Sequence, residues 1–427
     1  MRRGSGQGRV LVTGLGAVTP LGGNVPSTWA GMLSGASGVT AISGDWARDL
    51  PVRIAAPAAI DPASVIGRVQ ARRMDRCEQF AVAAAREAWS DAGSPGVDPF
   101  RLGVAVTSGI GGLRSVLSAH DALREKGWSR ISPFTVPMMM PNGAAGWISM
   151  ELGARAGAHA LVSACASGTE TIGYGIDMIR SGRADVVVAG GTEAVITRLA
   201  VAGFAVMRAL STRNGQPEKA SRPFDKGRDG FVLGEGAGIV VLESEAHAVA
   251  RGARVYAVAA GAGYSADAYH LSRGLPDGAG IRHAITSALA DAGVTARQVV
   301  HVNAHATSTT EGDPLEAAGI AAALGGADGV VVTSTKSVTG HLLGGAGAVE
   351  AVAAVKAVAE RTAPPTANLE DLDESVTLDI ADRPRALDPR GDGPAAVLSN
   401  SFGFGGGNAA TVWCEYDSAG TEAPRRA

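Results

Sequence analysis

The feature that most constrains the fold is a weak internal repeat, in which segments of the first half recur in the same order about 200 residues further along. The matched pairs are VLVTGLGAVTPLG from Val10 with VYAVAAGAGYSAD from Val255, LGVAVTSGIGG from Leu102 with VVHVNAHATSTTEG from Val299, and HALVSACASGTETI from His159 with VVVTSTKSVTGHLLGGAG from Val330. Each segment reads as a strand, a turn of small residues and the start of a helix, and the glycines of the first pair are expected to form the turn. So long a period indicates duplication of one α/β unit, since solenoid repeats span about 20 to 50 residues. Chance likeness between such segments is the alternative, and the shared order of three matches counts against it.

The repeat divides the chain near Ala250-Arg251-Gly252. We predict an N-terminal half, residues 1–252, a C-terminal half, residues 253–416, and a polar, frayed tail, residues 417–427. Alternating strands and helices favour an α/β fold with largely buried sheets. The predicted strands are 10–13, 102–107, 160–163, 184–189, 253–260, 299–303, 329–334 and 395–400, and the predicted helices are 78–92, 168–181, 280–292 and 346–359.

Composition excludes several classes of protein. The 427 residues include 38 Lys plus Arg and 41 Asp plus Glu, a net charge of -3, whereas nucleic-acid binders usually have a basic excess. A hydrophobic share of 46% provides a large core and excludes disorder of the whole chain. No apolar run is long enough to span a membrane, and the opening Met1-Arg2-Arg3-Gly4 precedes no continuous hydrophobic run of the signal-peptide kind. Since the 3 cysteines provide no disulfide framework, we expect a cytoplasmic protein.

Cys165 is the strongest candidate for a nucleophile. It lies in VSACASG, after a predicted strand and at the start of a predicted helix, where free N–H groups and the helix dipole favour a thiolate. We expect this position to bring the pKa of the thiol from about 8.5 towards neutrality. A buried structural cysteine is the alternative, and it is our interpretation of Cys77 and Cys414, which lack such a turn.

Two histidines follow predicted strands of the second half. His305 lies in HVNAHATST and His341 in KSVTGHLLG, and α/β folds place function in loops at the carboxyl ends of strands. Pseudo-twofold packing of the repeats would bring the His341 turn to the Cys165 turn. One sulfur nucleophile with two N–H donors suits acyl chemistry without a metal. A zinc site competes but is disfavoured because C-x-x-C spacing is absent, and GLGAVTPLG lacks the third glycine of a dinucleotide motif.

Several long blocks together resemble the β-ketoacyl-[acyl carrier protein] synthases of the elongating, synthase II type. The blocks are VSACASGTETI, SRPFDKGRDGFVLGEGAG, HVNAHATSTTEGD, KSVTGHLLGGAGAVE and NSFGFGGGN. They occur in the family's order and, with the opening VLVTGLGAVTPLG, extend over nearly the whole chain. The resemblance implies the thiolase fold, an α/β architecture of two duplicated halves in a five-layer α-β-α-β-α sandwich, and usually a dimer.

The resemblance also implies the catalytic roles. Cys165 matches the nucleophile that takes an acyl chain from the phosphopantetheine thiol of a carrier protein. His305 and His341 match the pair that drives decarboxylation of a malonyl thioester, for which both should be neutral N–H donors. Lys336 matches a lysine beside the second histidine, and a plain ion pair with Glu350 is the alternative.

Further residues match the family's substrate channel. Thr307 and Thr309 match hydroxyls that hold the pantetheine arm, although ordinary turn chemistry would also explain them. Phe404 matches a mobile gate whose N–H forms an oxyanion hole with that of Cys165, and a packed core phenylalanine is the alternative. The other substrate-binding assignments are Phe402, Ile110 and Thr135.

The implied partners follow from the same resemblance. Acyl carrier proteins are acidic, so a basic docking patch is expected, and the matching positions are Arg72, Arg73, Arg130 and Arg208, for which a solvated charged face is the alternative. We expect a homodimer or a heterodimer with a chain-length factor, no metal, and no cofactor beyond the phosphopantetheine that arrives on the carrier.

Three competing functions stay open at this point. The same chemistry could serve a type II polyketide or polyene pathway. A non-catalytic partner subunit would not need the complete Cys165, His305 and His341 set. A thiolase acting on coenzyme A esters would need a second cysteine where Gly-Phe-Gly-Gly stands. Gly407 departs from the His or Thr common in relatives, which is expected to loosen the loop behind the gate.

Overall fold

The computed structural model describes residues 8–417. The opening tetrapeptide, and the predicted frayed tail from residue 418 onward, lie outside these residues. The strands are β1 Val10–Val18, β2 Thr40–Ala41, β3 Ile54–Ala55, β4 Leu102–Ser108, β5 Ala158–His159, β6 Val186–Glu193, β7 Gly236–Ser244, β8 Ala257–Ala266, β9 Val299–Asn303, β10 Val331–Thr333, β11 Thr362–Ala363, β12 Asp379–Ile380, β13 Arg385–Ala386, β14 Ala396–Phe402 and β15 Gly407–Cys414. The helices are α1 Val25–Ser34, α2 Ala63–Ile66, α3 Arg68–Ala71, α4 Arg76–Asp91, α5 Leu113–Lys126, α6 Thr135–Met139, α7 Gly143–Leu152, α8 Ser167–Arg180, α9 Arg198–Val206, α10 Glu245–Ala250, α11 Ala279–Ala292, α12 Gly312–Leu324, α13 Lys336–Thr339 and α14 Ala346–Glu360. Within this part of the chain no helix has both the length and the apolar character to cross a membrane.

One mixed sheet joins the two halves of the chain. Its strand order is β12-β10-β9-β14-β15-β8-β1-β7-β6-β4-β5, and β1 pairs with β8 only at Leu11↔Val258 and Val12↔Ala257. Outward from this seam, β1-β7-β6-β4-β5 of the first half correspond to β8-β15-β14-β9-β10 of the second. In each half the first two pairings are antiparallel and the next two are parallel. This matched order is what duplication of one α/β unit predicts, although the division at residue 252 stays a prediction.

Helices lie on both faces of each half-sheet. In the middle, α8 contacts β6 and β4 of the first half and β8 and β15 of the second, while α14 contacts β7 and β6 as well as β14 and β15. Outside, α4 and α7 cover the first half-sheet, and α11 covers the second with α12 packed against it. The result is a five-layer α-β-α-β-α sandwich whose two central helices lead away from the predicted catalytic turns.

Four glycines of the first repeat pair, Gly14, Gly16, Gly261 and Gly263, lie inside β1 and β8 rather than in turns, so the prediction was wrong for them. Gly22 does close a turn, in which its backbone exchanges hydrogen bonds with Thr19. At the glycines inside the strands a helix backbone passes directly over the strand. A Cβ on Gly16 would lie 1.9 Å from the carbonyl oxygen of Ala84 in α4, and a Cβ on Gly263 would lie 2.2 Å from the amide nitrogen of Ala288 in α11. The repeat therefore preserves a site of close strand–helix packing rather than a loop.

The predicted strand 160–163 does not join the sheet. Only Ala158–His159 forms β5, and the residues up to Ser163 have no strand assignment. Val162 in this edge segment is 52% exposed. The short apolar run that predicted a strand is present, but the described residues offer this segment no neighbouring strand.

Residues 113–142 form an excursion from the sandwich. Neither α5 nor α6 contains a single buried residue, although both carry large apolar side chains. The exposed apolar residues of the excursion are Val116, Leu123, Trp128, Ile131, Val136, Met139 and Met140. A helix with an apolar face and nothing to cover it indicates an association surface.

Candidate active site

Cys165 lies in a short 3₁₀ turn, Ala164–Ala166, that leads directly into α8. Ala164 is left-handed, with φ 52°, and the corresponding turn before α14, Leu343–Gly345, also begins with a left-handed residue, Leu343, with φ 48°. Such strain in a non-glycine residue is retained where the surroundings enforce it, often at functional sites. The two turns contact each other, so the repeat brings its two helix starts together.

The thiol of Cys165 is covered by the loop that follows β14. Cys165 is 8% exposed, and the backbone N–H of Phe404 lies near enough to its sulfur to lower the pKa of the thiol. Burial raises the pKa of Cys165 to about 12, against the opposing effects of the Lys336 charge and the Phe404 N–H. The expected shift towards neutrality was therefore wrong for this state, because desolvation of a thiolate outweighs the local donors.

His305 and His341 face each other beside this turn. Their ring centroids are 5.2 Å apart at an interplanar angle of 87°, and the Phe231 ring lies 5.4 Å from that of His341. Nδ1 of both imidazoles is buried without a hydrogen-bond partner. In each case burial, and secondly the Lys336 charge, lowers the pKa well below its usual value. Both rings are thus neutral near pH 7 and each can offer one N–H.

Lys336 supplies the fixed charge of the site. Its ammonium group is 1% exposed and pairs with the carboxylate of Glu350 in α14. Burial raises the pKa of Glu350, and the lysine opposes that rise. Lys336 and Glu350 therefore form the ion pair considered from the sequence. The charge of Lys336 also lowers the pKa of Cys165, His305 and His341.

The predicted channel residues lie around this centre. The hydroxyls of Thr307 and Thr309 are 3.2 Å apart on the half-buried loop after His305. The Phe402 ring lies 5.7 Å from that of His305. Phe404 is 38% exposed, so its alternative as a packed core residue was wrong. Gly407 opens β15 and its backbone oxygen accepts a hydrogen bond from Gly403, which ties the loop that holds Phe404.

The predicted pocket-lining residues lie at the excursion. Ile110 is 42% exposed. The backbone after it packs on the end of α6, because a Cβ on Gly112 would lie 1.7 Å from the carbonyl oxygen of Met138. Thr135 lines a cavity of about 510 Å³ together with Met138 and Arg130. The structure therefore brings Ile110 and Thr135 to one region, which is open in the single chain.

The four predicted docking arginines, Arg72, Arg73, Arg130 and Arg208, are all exposed. The Arg73 guanidinium lies 5.4 Å from the centroid of the Phe134 ring, which connects the end of α3 to the excursion. By contrast, the neighbouring Arg76 is engaged by the buried carboxylate of Glu235 at 2.7 Å. The exposed arginines are thus available to an acidic partner.

Sequence reasoning missed three buried charged residues that hold the site loops. Glu316 in α12 accepts hydrogen bonds from the N–H groups of His305 at 2.8 Å and Ala306 at 2.6 Å. Arg228 donates to the carbonyl oxygens of Thr309 and Thr310 at 2.9 and 3.0 Å. Glu193 binds the loop that holds Ile110. Of the three, only Arg228 lies in a quoted block, SRPFDKGRDGFVLGEGAG, whereas Glu316 and Glu193 lie outside all of the blocks.

Nothing among the described residues resembles a metal centre: no group of three or more His, Cys, Asp or Glu could hold a metal ion. His301 and His305 do have H-x-x-x-H spacing. However, His301 lies in β9 and His305 in the loop after it, not on one face of a helix. His301 also has a different partner, since its Nε2 bonds Thr333 Oγ1 at 2.8 Å in the sheet.

The combination of a buried cysteine, two neutral imidazoles and a covering loop whose backbone N–H faces the sulfur is that of an enzyme that works through a cysteine thioester. Two family models match the chain: the N-terminal domain of β-ketoacyl synthases over residues 7–248 and the C-terminal domain over residues 256–370. The chain belongs to the β-ketoacyl synthase family.

Known proteins resemble this chain over nearly its full length. The chain is 46% identical to 3-oxoacyl-[acyl-carrier-protein] synthase 2 of Coxiella burnetii, over 95% of this chain and 98% of that protein. Among solved structures, the ishigamide ketosynthase/chain length factor matches with a TM-score of 0.87 and 34% identity, over 96% of this chain and 100% of that one. A type II polyketide ketosynthase, solved with its acyl carrier protein and bound to the hexaketide, matches with a TM-score of 0.86 and 30% identity, over 96% of this chain and 100% of that one. These likenesses confirm the thiolase fold that the sequence predicted.

Proposed function

We propose that this protein is a β-ketoacyl-[acyl carrier protein] synthase that elongates fatty acyl chains by decarboxylative Claisen condensation. The observation that carries the proposal is the contact of the Cys165 turn with the turn that follows His341, whose neutral imidazole lies 5.2 Å from that of His305. The names of the curated relatives support the same reaction.

The first half-reaction loads the enzyme. The Cys165 sulfur attacks the acyl carbonyl carbon, the bond from that carbon to the carrier's pantetheine sulfur breaks, and the thiol proton leaves with the carrier thiol. The carbonyl oxygen becomes an oxyanion that the N–H groups of Cys165 and Phe404 stabilise. The Phe404 N–H lies near enough to the sulfur to lower the pKa of the thiol, so a small movement of its loop would let it donate to the oxyanion. Thr307 and Thr309 hold the pantetheine arm.

The second half-reaction forms the carbon–carbon bond. The malonyl carboxylate leaves as CO2, and the electron pair of the broken bond forms an enolate whose oxygen accepts hydrogen bonds from His305 and His341. Since Nδ1 of each ring is enclosed, Nε2 is the atom that donates. The enolate carbon then attacks the acyl-cysteine, the carbon–sulfur bond breaks, and the released Cys165 thiolate takes up a proton from solvent. All acyl groups arrive on phosphopantetheine, and the enzyme adds no metal or cofactor of its own.

Separate measurement of the two half-reactions tests this assignment. His305→Ala and His341→Ala should each slow malonyl decarboxylation by about 10²- to 10³-fold while changing self-acylation of Cys165 much less. His301→Gln is the matched control, because His301 is a buried histidine of the same strand region that bonds Thr333 instead. Equal losses in both half-reactions would contradict the donor role.

An acidic acyl carrier protein is the proposed partner, and Arg72, Arg73, Arg130 and Arg208 are its proposed docking residues. Their exposure supports this role, since surface arginines can steer an acidic partner without being committed to internal pairs. Reversing the charge of Arg72 and Arg208 should weaken carrier binding, with a smaller loss at high salt. Unchanged affinity would place docking elsewhere.

A homodimer is the proposed assembly. The unpaired edge at Val162 and the uncovered apolar faces of α5 and α6 support a partner that adds a strand and a helical surface. A heterodimer with a chain-length factor is the alternative, favoured by the likeness to a ketosynthase/chain length factor. In that case the chain would work in a polyketide pathway, and it would copurify with a homologue lacking the cysteine.

Three free, buried cysteines support a cytoplasmic location.

A further inference from the structure

Glu193 ends β6 with its carboxylate completely buried at the carboxyl edge of the sheet. Its Oε1 accepts hydrogen bonds from Ser108 Oγ at 2.7 Å and from the Ile110 N–H at 3.4 Å. Ser108 Oγ in turn accepts the Gly111 N–H at 2.9 Å. These hydrogen-bond donors therefore satisfy a buried carboxyl group that would be costly to leave without partners.

The same carboxylate also reaches a second loop. Its Oε2 accepts hydrogen bonds from the Gly109 N–H at 3.0 Å and from the Gly344 N–H at 3.2 Å. Gly109 and Gly344 meet backbone to backbone, since a Cβ on Gly344 would lie 2.2 Å from the Gly109 nitrogen. Glu193 therefore holds together the loop of Gly109 and the loop of Gly344, whose backbones are in direct contact.

These two loops serve different parts of the site. Gly344 belongs to the Leu343–Gly345 turn, which follows His341 and contacts the turn of Cys165. Ile110 lies in the other loop and is assigned to the acyl pocket by the proposed function. Movement of Ile110 by an acyl chain is thus transmitted through one carboxylate to the turns that hold the reacting groups.

We infer that Glu193 is a positioning residue for chain-length selection: it couples the acyl-pocket loop, residues 108–111, to the turns of Cys165 and His341. The inference rests on the proposed function. An acyl chain that displaces Ile110 must either break a hydrogen bond to Glu193 or shift Gly344, so chains of unsuitable length lose reactivity at the sulfur. Without the hydrogen bonds of Glu193, the pocket loop moves independently of the catalytic turns, and acyl chains of unsuitable length no longer lose reactivity.

The test compares acylation of Cys165 by a series of saturated acyl carrier proteins from butyryl to palmitoyl, followed by intact-protein mass spectrometry. In Glu193→Gln one acceptor oxygen becomes an amide donor. An amide at the Oε1 position faces the Ile110 N–H, and one at the Oε2 position faces the N–H groups of Gly109 and Gly344, so in either case backbone donors of the bridge lose their acceptor. The ratio of kcat/KM between the best and the worst donor should shrink about fivefold or more, as expected for one or two lost buried hydrogen bonds. Ser108→Ala removes a single donor and should shrink the ratio less, which decides the question if Glu193→Gln does not fold.

Glu87→Gln is the matched control. Glu87 is a half-buried carboxylate, less enclosed than Glu193, that likewise accepts backbone N–H groups, those of Ala17 at 2.9 Å and Val25 at 2.7 Å, and these donors belong to neither loop. It should reduce stability and leave chain-length discrimination unchanged. Unchanged discrimination in folded Glu193→Gln or Ser108→Ala would overturn the inference, as would a wild type that accepts all lengths equally. If no donor acylates the wild type, the proposed function itself fails.

Discussion

Burial controls the ionisation of several carboxyl groups in this chain. It raises the pKa of Glu78 to about 8 and the pKa of Glu193 and Glu316 to about 7. Each proton is held more tightly in the folded chain than in the unfolded one. These groups therefore stabilise the fold fully below about pH 4.5, and the contribution is lost as the pH rises through the folded pKa.

Glu78 gives the clearest prediction at this scale. Between pH 6 and pH 8 the wild type should lose about 2 kcal/mol of unfolding free energy through this group, since its folded pKa is about 8. Glu78→Gln should remove that part of the pH dependence. Chemical denaturation at both pH values measures it, and Glu374→Gln, at an exposed side chain, is the control. An unchanged pH dependence in Glu78→Gln would contradict the account.

At the scale of the element, the glycine contacts of β1 and β8 are the clearest signature of duplication. Gly16→Ala and Gly263→Ala each force a methyl group against a helix backbone and should cost about 2 to 3 kcal/mol of stability. Gly96→Ala has no heavy atom within 4 Å of its new Cβ and should change stability little. Thermal or chemical unfolding provides the comparison. If all three variants were equally stable, the close packing would be wrong.

The helices, the strands and the turns of the catalytic residues were predictable from local sequence patterns. The long-range hydrogen bonds that hold these turns together were not. The predicted strand 299–303 matches β9, and the predicted helix 346–359 ends one residue short of α14. Local pattern misled where a neighbour decides the outcome, as with glycines inside strands and the unpaired edge at 160–163. The role of Glu193 could not be predicted from local pattern, because its partners Ser108 and Gly344 are 85 and 151 residues away in sequence.

At the scale of the whole molecule, the exposed apolar excursion predicts an oligomer. The purified chain should run at twice its own mass in size-exclusion chromatography with light scattering. Val162→Glu should shift it to the monomer, because a charge at an interface edge is costly to desolvate. Val249→Glu is the matched control, since Val249 is 53% exposed against 52% for Val162 but lies in α10, outside the excursion and the sheet edge. A wild-type monomer, or a dimer that survives Val162→Glu, would contradict the proposed interface.

The most direct test of the central claim is to incubate the protein with an acyl carrier protein donor and identify the acylated residue by peptide mass spectrometry. Cys77 and Cys414 are buried free cysteines and provide matched controls. The account predicts one acyl group on the Cys165 peptide of the wild type, Cys77→Ala and Cys414→Ala, and none in Cys165→Ala. Acylation of Cys165→Ala to the wild-type level would contradict it.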